Sequence, residues 1–248
     1  MLQPTDIDVV VFDVLGTLVD EPRGLRSAIR EAFPQADARQ VQSLTESWQR
    51  YIADQQAEIA RGTRAYVDSE VLDAEAAPHV LDAAAAMGIA APSVDTANPS
   101  SASSVNVASV HSTRLATASR RLPPWPDSVA ELERIAARLP VLALSNAGPT
   151  TLLHLSAHTG LRWHQAVTAH SVSAYKPAPA LYQRAVQVAD RPPERILMVA
   201  AHAWDLRAAQ NAGMRTCYVD RPVGDPPTAS DHFDMTVAGL NELLPGLG

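Results

Sequence analysis

The chain has 248 residues, 46% of them apolar, and a formal net charge of −7; that is enough chain to bury one large core with an accessory lobe. An acidic balance offers no long-range attraction to nucleic acid or anionic lipid, although a local basic pocket can still hold a small anion. No apolar run reaches the roughly 18 to 20 residues of a spanning helix and the first residues are not signal-like, so the expectation is a cytoplasmic protein with no nucleic-acid or membrane partner.

In chain order, the first element is the apolar run at 7–12, "IDVVVF", read as a buried strand; it ends on Asp13 and enters the Gly16 turn of "DVLGTLVD". In open α/β sheets the ligand crevice lies beyond the carboxyl ends of the strands, so Asp13 is offered to a substrate rather than to the core. Helical patterns follow near 38–60 and 78–87, with no convincing strand between them. Residues 93–119, rich in Ser, Ala, Thr and Asn and nearly uncharged, read as a loop or weakly structured insert. The Pro-rich "LPPWP" at 122–126 reads as a hinge. Beyond it, strand-like runs at 140–145, 195–200 and 215–219 alternate with helical patterns at 127–138, 149–158, 178–189 and 205–212, the signature of βα units building a mostly parallel sheet. Ser128 and Glu131 have capping-box spacing at the first of these helices. The single cysteine, Cys217 in "TCYVD", reads as a small buried packing residue.

Four segments, in this order, resemble the motifs of the haloacid dehalogenase superfamily. They are "VVVFDVLGTLVD", "VLALSNAG" with Ser145 and Asn146, "YKPAPALY" with Lys176 and Tyr182, and "ILMVAAHAWDL" with His202, Trp204 and Asp205. The resemblance implies an α/β, Rossmann-like three-layer sandwich with a mostly parallel sheet. Residues 1–20 and 122–248 would form the catalytic core and 21–121 an inserted helical cap. It also implies a covalent aspartyl intermediate and chains that pair as homodimers.

A carboxylate that attacks carbon or phosphorus needs its charge intact, a group to hold it in line, and stabilisation of the charge that leaves. On the resemblance, Asp13 is the nucleophile, Lys176 keeps it ionised and helps bind an anionic substrate, and Asp205 pairs with Lys176 and helps orient the hydrolytic water. Thr17, Ser145 and Asn146 offer neutral donors. Taken singly each has a plainer reading, since an Asp at a strand end is often a turn or cap residue and "SN" after a strand is a common helix entrance. The ordered set carries the assignment. His154 and His158 have the i, i+4 spacing of a metal pair but no third ligand nearby in sequence. Trp125 and Trp163 read as packing residues.

The leaving group follows from what is missing. Superfamily phosphatases carry, two residues after the nucleophile, an acid that protonates the departing alkoxide, and here that residue is Leu15. The stretch "AAHAWD" at 200–205 keeps only the last acid of their metal-binding "GDxxxD" pattern. Asp13 and Asp205 alone make a poor site for a hard divalent ion, so no metal or cofactor is expected. A halide leaves without a proton. The motifs most resemble the type II, L-2-haloacid dehalogenases, which lack the second Asp and convert a short 2-haloacid to the 2-hydroxy acid without metal. The substrate expected is therefore a small organic anion, bound by Leu15, Arg50, Ser145, Asn146, Tyr182, His202 and Trp204. Two residues depart from that pattern. The family's Tyr is Leu15, and the Arg that follows a helix Trp is displaced, Trp48 being followed by Gln49 and then Arg50, a shift of about 100° around a helix. Opening of azetidine-2-carboxylate, a Mg²⁺-dependent phosphatase and a non-catalytic binding protein stand as alternatives.

Overall fold

Five consecutive residues, Val9–Asp13, form strand β1 and all are buried, as an apolar run without alternation must be when helices cover both faces of its sheet. In the computed structural model, which describes residues 6–89 and 107–247, β1 pairs in parallel with β2 (Val141–Ser145) on one side and β4 (Ile196–Ala200) on the other. β3 (Gln165–Thr168) lies beyond β2, while β5 (Arg215–Val219) and β6 (Met235–Val237) lie beyond β4. The six parallel strands run β3-β2-β1-β4-β5-β6. The strand order reverses at β1, and Asp13 ends that strand at the crevice where such sheets bind ligands.

Alternation along the strands divides their side chains between two cores. Val10, Phe12, Val141 and Ala143 pack with α5 (Ser128–Ala136), α6 (Pro149–Thr159) and α9 (Leu243–Leu247). Val9, Val11, Leu142 and Leu144 pack with α7 (Pro179–Ala189) and α8 (Ala203–Asn211). The result is the α/β, Rossmann-like three-layer sandwich expected from the sequence. Asp13 shares the parity of Val9 and Val11, which turns its carboxylate toward the α7–α8 layer.

Four helices, α1 (Glu21–Ala32), α2 (Ala38–Ala60), α3 (Ser69–Ala86) and α4 (Val107–Ala116), form a helical lobe. Leu25, Ile29, Leu44, Trp48, Val80 and Leu115 give it a core of its own. The two connections to the sheet run side by side: Asp20 N donates to Pro123 O at 2.8 Å, and Trp125 Nε1 donates to Gly16 O at 2.9 Å. α3 also reaches the sheet layer. Ser69 Oγ accepts from Gly148 N at 2.7 Å and Glu70 Oε1 from Thr151 N at 3.0 Å, so α6, whose own N-cap is a glycine, is capped from the lobe.

The structure corrects several sequence expectations. Val107–Ala116 is helix rather than loop; Leu115 is buried in the lobe core, and that burial outweighs the modest helix propensity of the Val, Ser and Thr residues around it. Of the rest of the loop reading, Ala118 and Ser119 open a short 3-10 helix (Ala118–Arg121) preceded by Thr117, and 93–106 lies outside the described residues. The helix expected at 78–87 starts at Ser69 and holds Pro78 in its interior. α1 and the short strands β3 and β6 were not expected; β3 and β6 lie at the sheet edges and are partly exposed, so they lack a continuous apolar run. Ser128 forms no capping box, because it is already the first helical residue and its Oγ is buried without a partner among the described residues. Glu131 pairs with Arg134 at 2.9 Å instead. Among the described residues no helix is long and apolar enough to cross a membrane.

Candidate active site

Asp13 is 4% exposed and both its oxygens are engaged: Oδ1 accepts from Lys176 Nζ at 2.7 Å and Oδ2 from Thr17 Oγ1 at 2.6 Å. Thr17 Oγ1 itself accepts from Ala201 N at 2.9 Å, which leaves its proton for Asp13. The turn that brings Thr17 back to Asp13 needs a glycine. Gly16 has φ +83°, and a Cβ there would meet His202 Nε2 at 2.7 Å.

Lys176 enters on the loop before α7, where its backbone N donates to Asn146 Oδ1 at 2.7 Å. Its buried ammonium also donates to Asp205 Oδ2 at 2.5 Å. Burial works against this charge, but the Asp13 and Asp205 carboxylates outweigh it and hold the Lys176 pKa above the ordinary lysine value. Asp205 sits in the first turn of α8, fully buried, and accepts from Tyr182 Oη at 2.5 Å on its other oxygen. Burial and the Asp205 charge push the Tyr182 phenol well above its usual range, so it stays a donor. Each Asp205 oxygen accepts one of these hydrogen bonds and Asp205 is not among the residues lining the cavity, so the role the contacts show is that of holding Lys176.

A cavity of about 220 Å³ opens over Asp13, between the β1 turn and the helical lobe. Leu15, Asn146, Lys176, His202 and Trp204 line it from the sheet side, and Trp48, Gln49, Leu72 and Asp73 from the lobe. His202 stacks on Trp204 with ring centroids 5.6 Å apart, and its Nε2 lies 3.1 Å from Leu15 O and 3.9 Å from Asp13 Oδ2. The Lys176 ammonium is 5.9 Å from the Trp204 ring centroid, within cation–π range.

The expected site residues therefore divide. Asp13, Thr17, Lys176 and Asp205 converge, and Leu15, Asn146, His202 and Trp204 line the cavity beside them. Ser145 and Tyr182 do not reach it: both are fully buried, Ser145 Oγ accepting from Ala147 N at 3.1 Å and Tyr182 serving Asp205. Arg50 is exposed on α2 and does not line the cavity, whereas Gln49 does, because one residue of helical rotation separates them. The sequence reading missed two lining acids, Glu21 and Asp73. Glu21 directly follows the first motif and was open to notice; nothing in the local pattern around Asp73 marks it.

Burial pushes both acids up to about 7. At Glu21 the His202 ring opposes the rise and Asp13 adds to it; at Asp73 the Ser119 hydroxyl and Arg120 oppose it while Glu21 and Glu70 add to it. The folded protein thus binds more protons than the unfolded chain between the ordinary carboxylate range and neutrality. The stability these groups contribute is fully present below their unfolded pKa values and is lost as pH rises through about 7. Thermal melts are expected to fall between about pH 5.5 and pH 8, with a shallower fall in Glu21→Gln/Asp73→Asn. An equal slope in the double variant would contradict the assignment.

Residues 7–213 match the family model of haloacid dehalogenase-like hydrolases. An (S)-2-haloacid dehalogenase of Pseudomonas fluorescens is 32% identical over 114 residues, 45% of this chain and 50% of that protein. Another, from Pseudomonas sp. (strain YL), is 34% identical over 106 residues, 41% of this chain and 45% of the other. The chain spans about half the length of the curated relatives it matches. Structural likeness extends further: the crystal structure of a defluorinating L-2-haloacid dehalogenase superposes with a TM-score of 0.81 at 28% identity, covering 100% of this chain and 98% of that one. A second L-2-haloacid dehalogenase gives 0.79 at 26%, covering 97% and 98%. A family match over most of its length, on a fold that presents Asp13 at the sheet's switch point, means that the chain belongs to the haloacid dehalogenase-like hydrolases.

Proposed function

We propose that this protein is a metal-free hydrolase of the (S)-2-haloacid dehalogenase type, converting a short 2-haloacid to the 2-hydroxy acid, with residues 21–121 acting as a cap over the site. The observation that carries this reading is the setting of Asp13: its carboxylate is held by Lys176 and Thr17, and the side chain two residues on, facing the same cavity, is Leu15 rather than an acid. An Asp13 oxygen attacks C2, the carbon–halogen bond breaks, and the halide leaves with the bonding pair. Water then adds to the ester carbonyl of Asp13; one of its protons goes to the departing oxygen, which becomes the hydroxyl of the 2-hydroxy acid, and the other to solvent, restoring the carboxylate. Asn146 gives its Oδ1 to Lys176 N, which leaves its NH₂ as a donor on the cavity wall for the substrate carboxylate.

A halide needs no proton to depart, so Leu15 is harmless to this step, whereas an alkoxide leaving group would be stranded. The Lys176 ammonium bridges the two carboxylates, Asp13 and Asp205, that a hard cation would need. The named relatives are dehalogenases, which supports the same choice. The test is a parallel screen of 2-haloacids and phosphate esters, reading halide and phosphate with and without chelator. Halide release is expected to ignore chelator, added Mg²⁺ is expected to produce no appreciable phosphatase activity, and Leu15→Asp should raise phosphate release more than halide release. A Mg²⁺-dependent phosphatase activity that chelator abolishes and that far exceeds halide release would replace this reading.

A further inference from the structure

The charges around the cavity are the reverse of what a simple carboxylate needs. Three carboxylates line it, Asp13, Glu21 and Asp73, against one formal cation, Lys176, whose ammonium is already taken by Asp13 and Asp205 at 2.7 and 2.5 Å. No arginine lines the cavity among the described residues; Arg120 acts on Asp73 electrostatically but is not part of the wall. Asp73 is more than nine-tenths buried, and only one of its oxygens is used, Oδ2 accepting from Ser119 Oγ at 2.9 Å. Glu21, the first residue of α1, makes no side-chain hydrogen bond or ion pair among the described residues, yet it lies close enough to feel Asp13, His202 and Asp73. The two acids thus continue from the nucleophile into the lobe, and the chemistry described above uses neither.

A carboxylate withdrawn from water without a partner is costly, and the cost is removed by a cation or a hydrogen-bond donor placed against it. Ser119 Oγ gives Asp73 one such donor; the second Asp73 oxygen and both Glu21 oxygens have no hydrogen-bond partner among the described residues, which leaves them to a ligand. Resting on the dehalogenase reading of the site, we propose that the substrate carries a protonated amine, received by Glu21 and Asp73, while its halogen-bearing carbon faces Asp13: an amino-substituted short 2-haloacid rather than a plain one. Glu21 and Asp73 are then specificity-determining residues, not participants in bond making. Burial pushes both carboxyls up to about 7, and an ammonium placed against them would favour their ionised form.

The experiment uses pairs of compounds in which ammonium replaces methyl at one position. Halide release by the full chain is measured with 3-amino-2-chloropropanoate and with 2-chlorobutanoate, subtracting the release without enzyme. Binding of the unreactive 3-aminopropanoate and butanoate is measured by calorimetry. The ammonium member of each pair is expected to be favoured by at least about tenfold, in kcat/KM and in Kd, and Glu21→Gln/Asp73→Asn is expected to bring both ratios near one. Halide release from 2-chlorobutanoate equal to or faster than from the amino compound, or equal binding of the two unreactive acids, overturns the proposal and leaves dehalogenation standing. Halide from neither compound, with 3-aminopropanoate still bound selectively, overturns dehalogenation and keeps the acidic receptor. Halide from neither and no selective binding overturns both. Because the binding comparison needs only the unmodified protein, a double variant that fails to fold does not rescue the idea.

Discussion

Asp13→Asn is expected to lose at least about a thousandfold in halide release while keeping its fold, because the amide is close in shape but is a poor nucleophile and cannot form the ester. Lys176 retains Asp205 as a partner in that variant, so no buried charge is left alone. The isotope result separates this mechanism from direct attack by water. In a single turnover with excess enzyme in heavy-oxygen water, the label should enter the Asp13 carboxylate, read by mass spectrometry of its peptide, and the hydroxy acid should leave with ordinary oxygen. Label in the product on the first turnover, with Asp13 unlabelled, would mean that water attacks carbon and Asp13 is only a base or a holder.

Lys176→Ala is expected to damage both activity and stability, and the two effects can be told apart by pH. The substitution strands Asp13 and Asp205, 4% and 0% exposed, next to each other without their shared cation. Removing one partner of such a buried set costs roughly 3 to 5 kcal/mol, because the remaining charges are uncompensated. Lowering the pH should restore much of the lost stability, since protonation discharges the stranded carboxylates. It should not restore turnover, because a protonated Asp13 cannot attack. A Lys176→Ala protein with unchanged melting temperature and near wild-type halide release would show that the short contacts at Lys176 carry neither charge compensation nor catalysis.

Some of this was legible in the chain because it is written locally. The unbroken apolar run before Asp13 can only be a strand covered on both faces, and the Gly16 turn can only follow such a strand where the backbone must take positive φ. The alternation of apolar runs with helical stripes after residue 126 determined a parallel sheet, and the motif order placed Asp13, Ser145, Lys176 and Asp205 at successive strand ends or loops of one crevice. Leu15 alone was enough to argue against a leaving group that needs a proton.

The tertiary structure decided what depends on depth and on long-range approach. Tyr182 shares a motif with Lys176 and Asp205 lies in the next one, yet both are fully buried on α7 and α8, where Asp205 accepts from Lys176 and from Tyr182 and neither residue lines the cavity. Ser145 is likewise turned inward, and a single step of helix rotation sends Arg50 to solvent and Gln49 to the cavity. α4 gains its place from Leu115 in the lobe core, which no propensity in its Ser- and Thr-containing sequence announces. Glu21 and Asp73 face one cavity only because α1 and α3 fold together over β1; periodicity reports which face of each helix is apolar, not which acids from two helices will share a pocket. The sequence by itself determined the strand end that carries Asp13 and the lack of an acid two residues on. The packing of the lobe decided which charges line the pocket, because that depends on how separate helices approach one another.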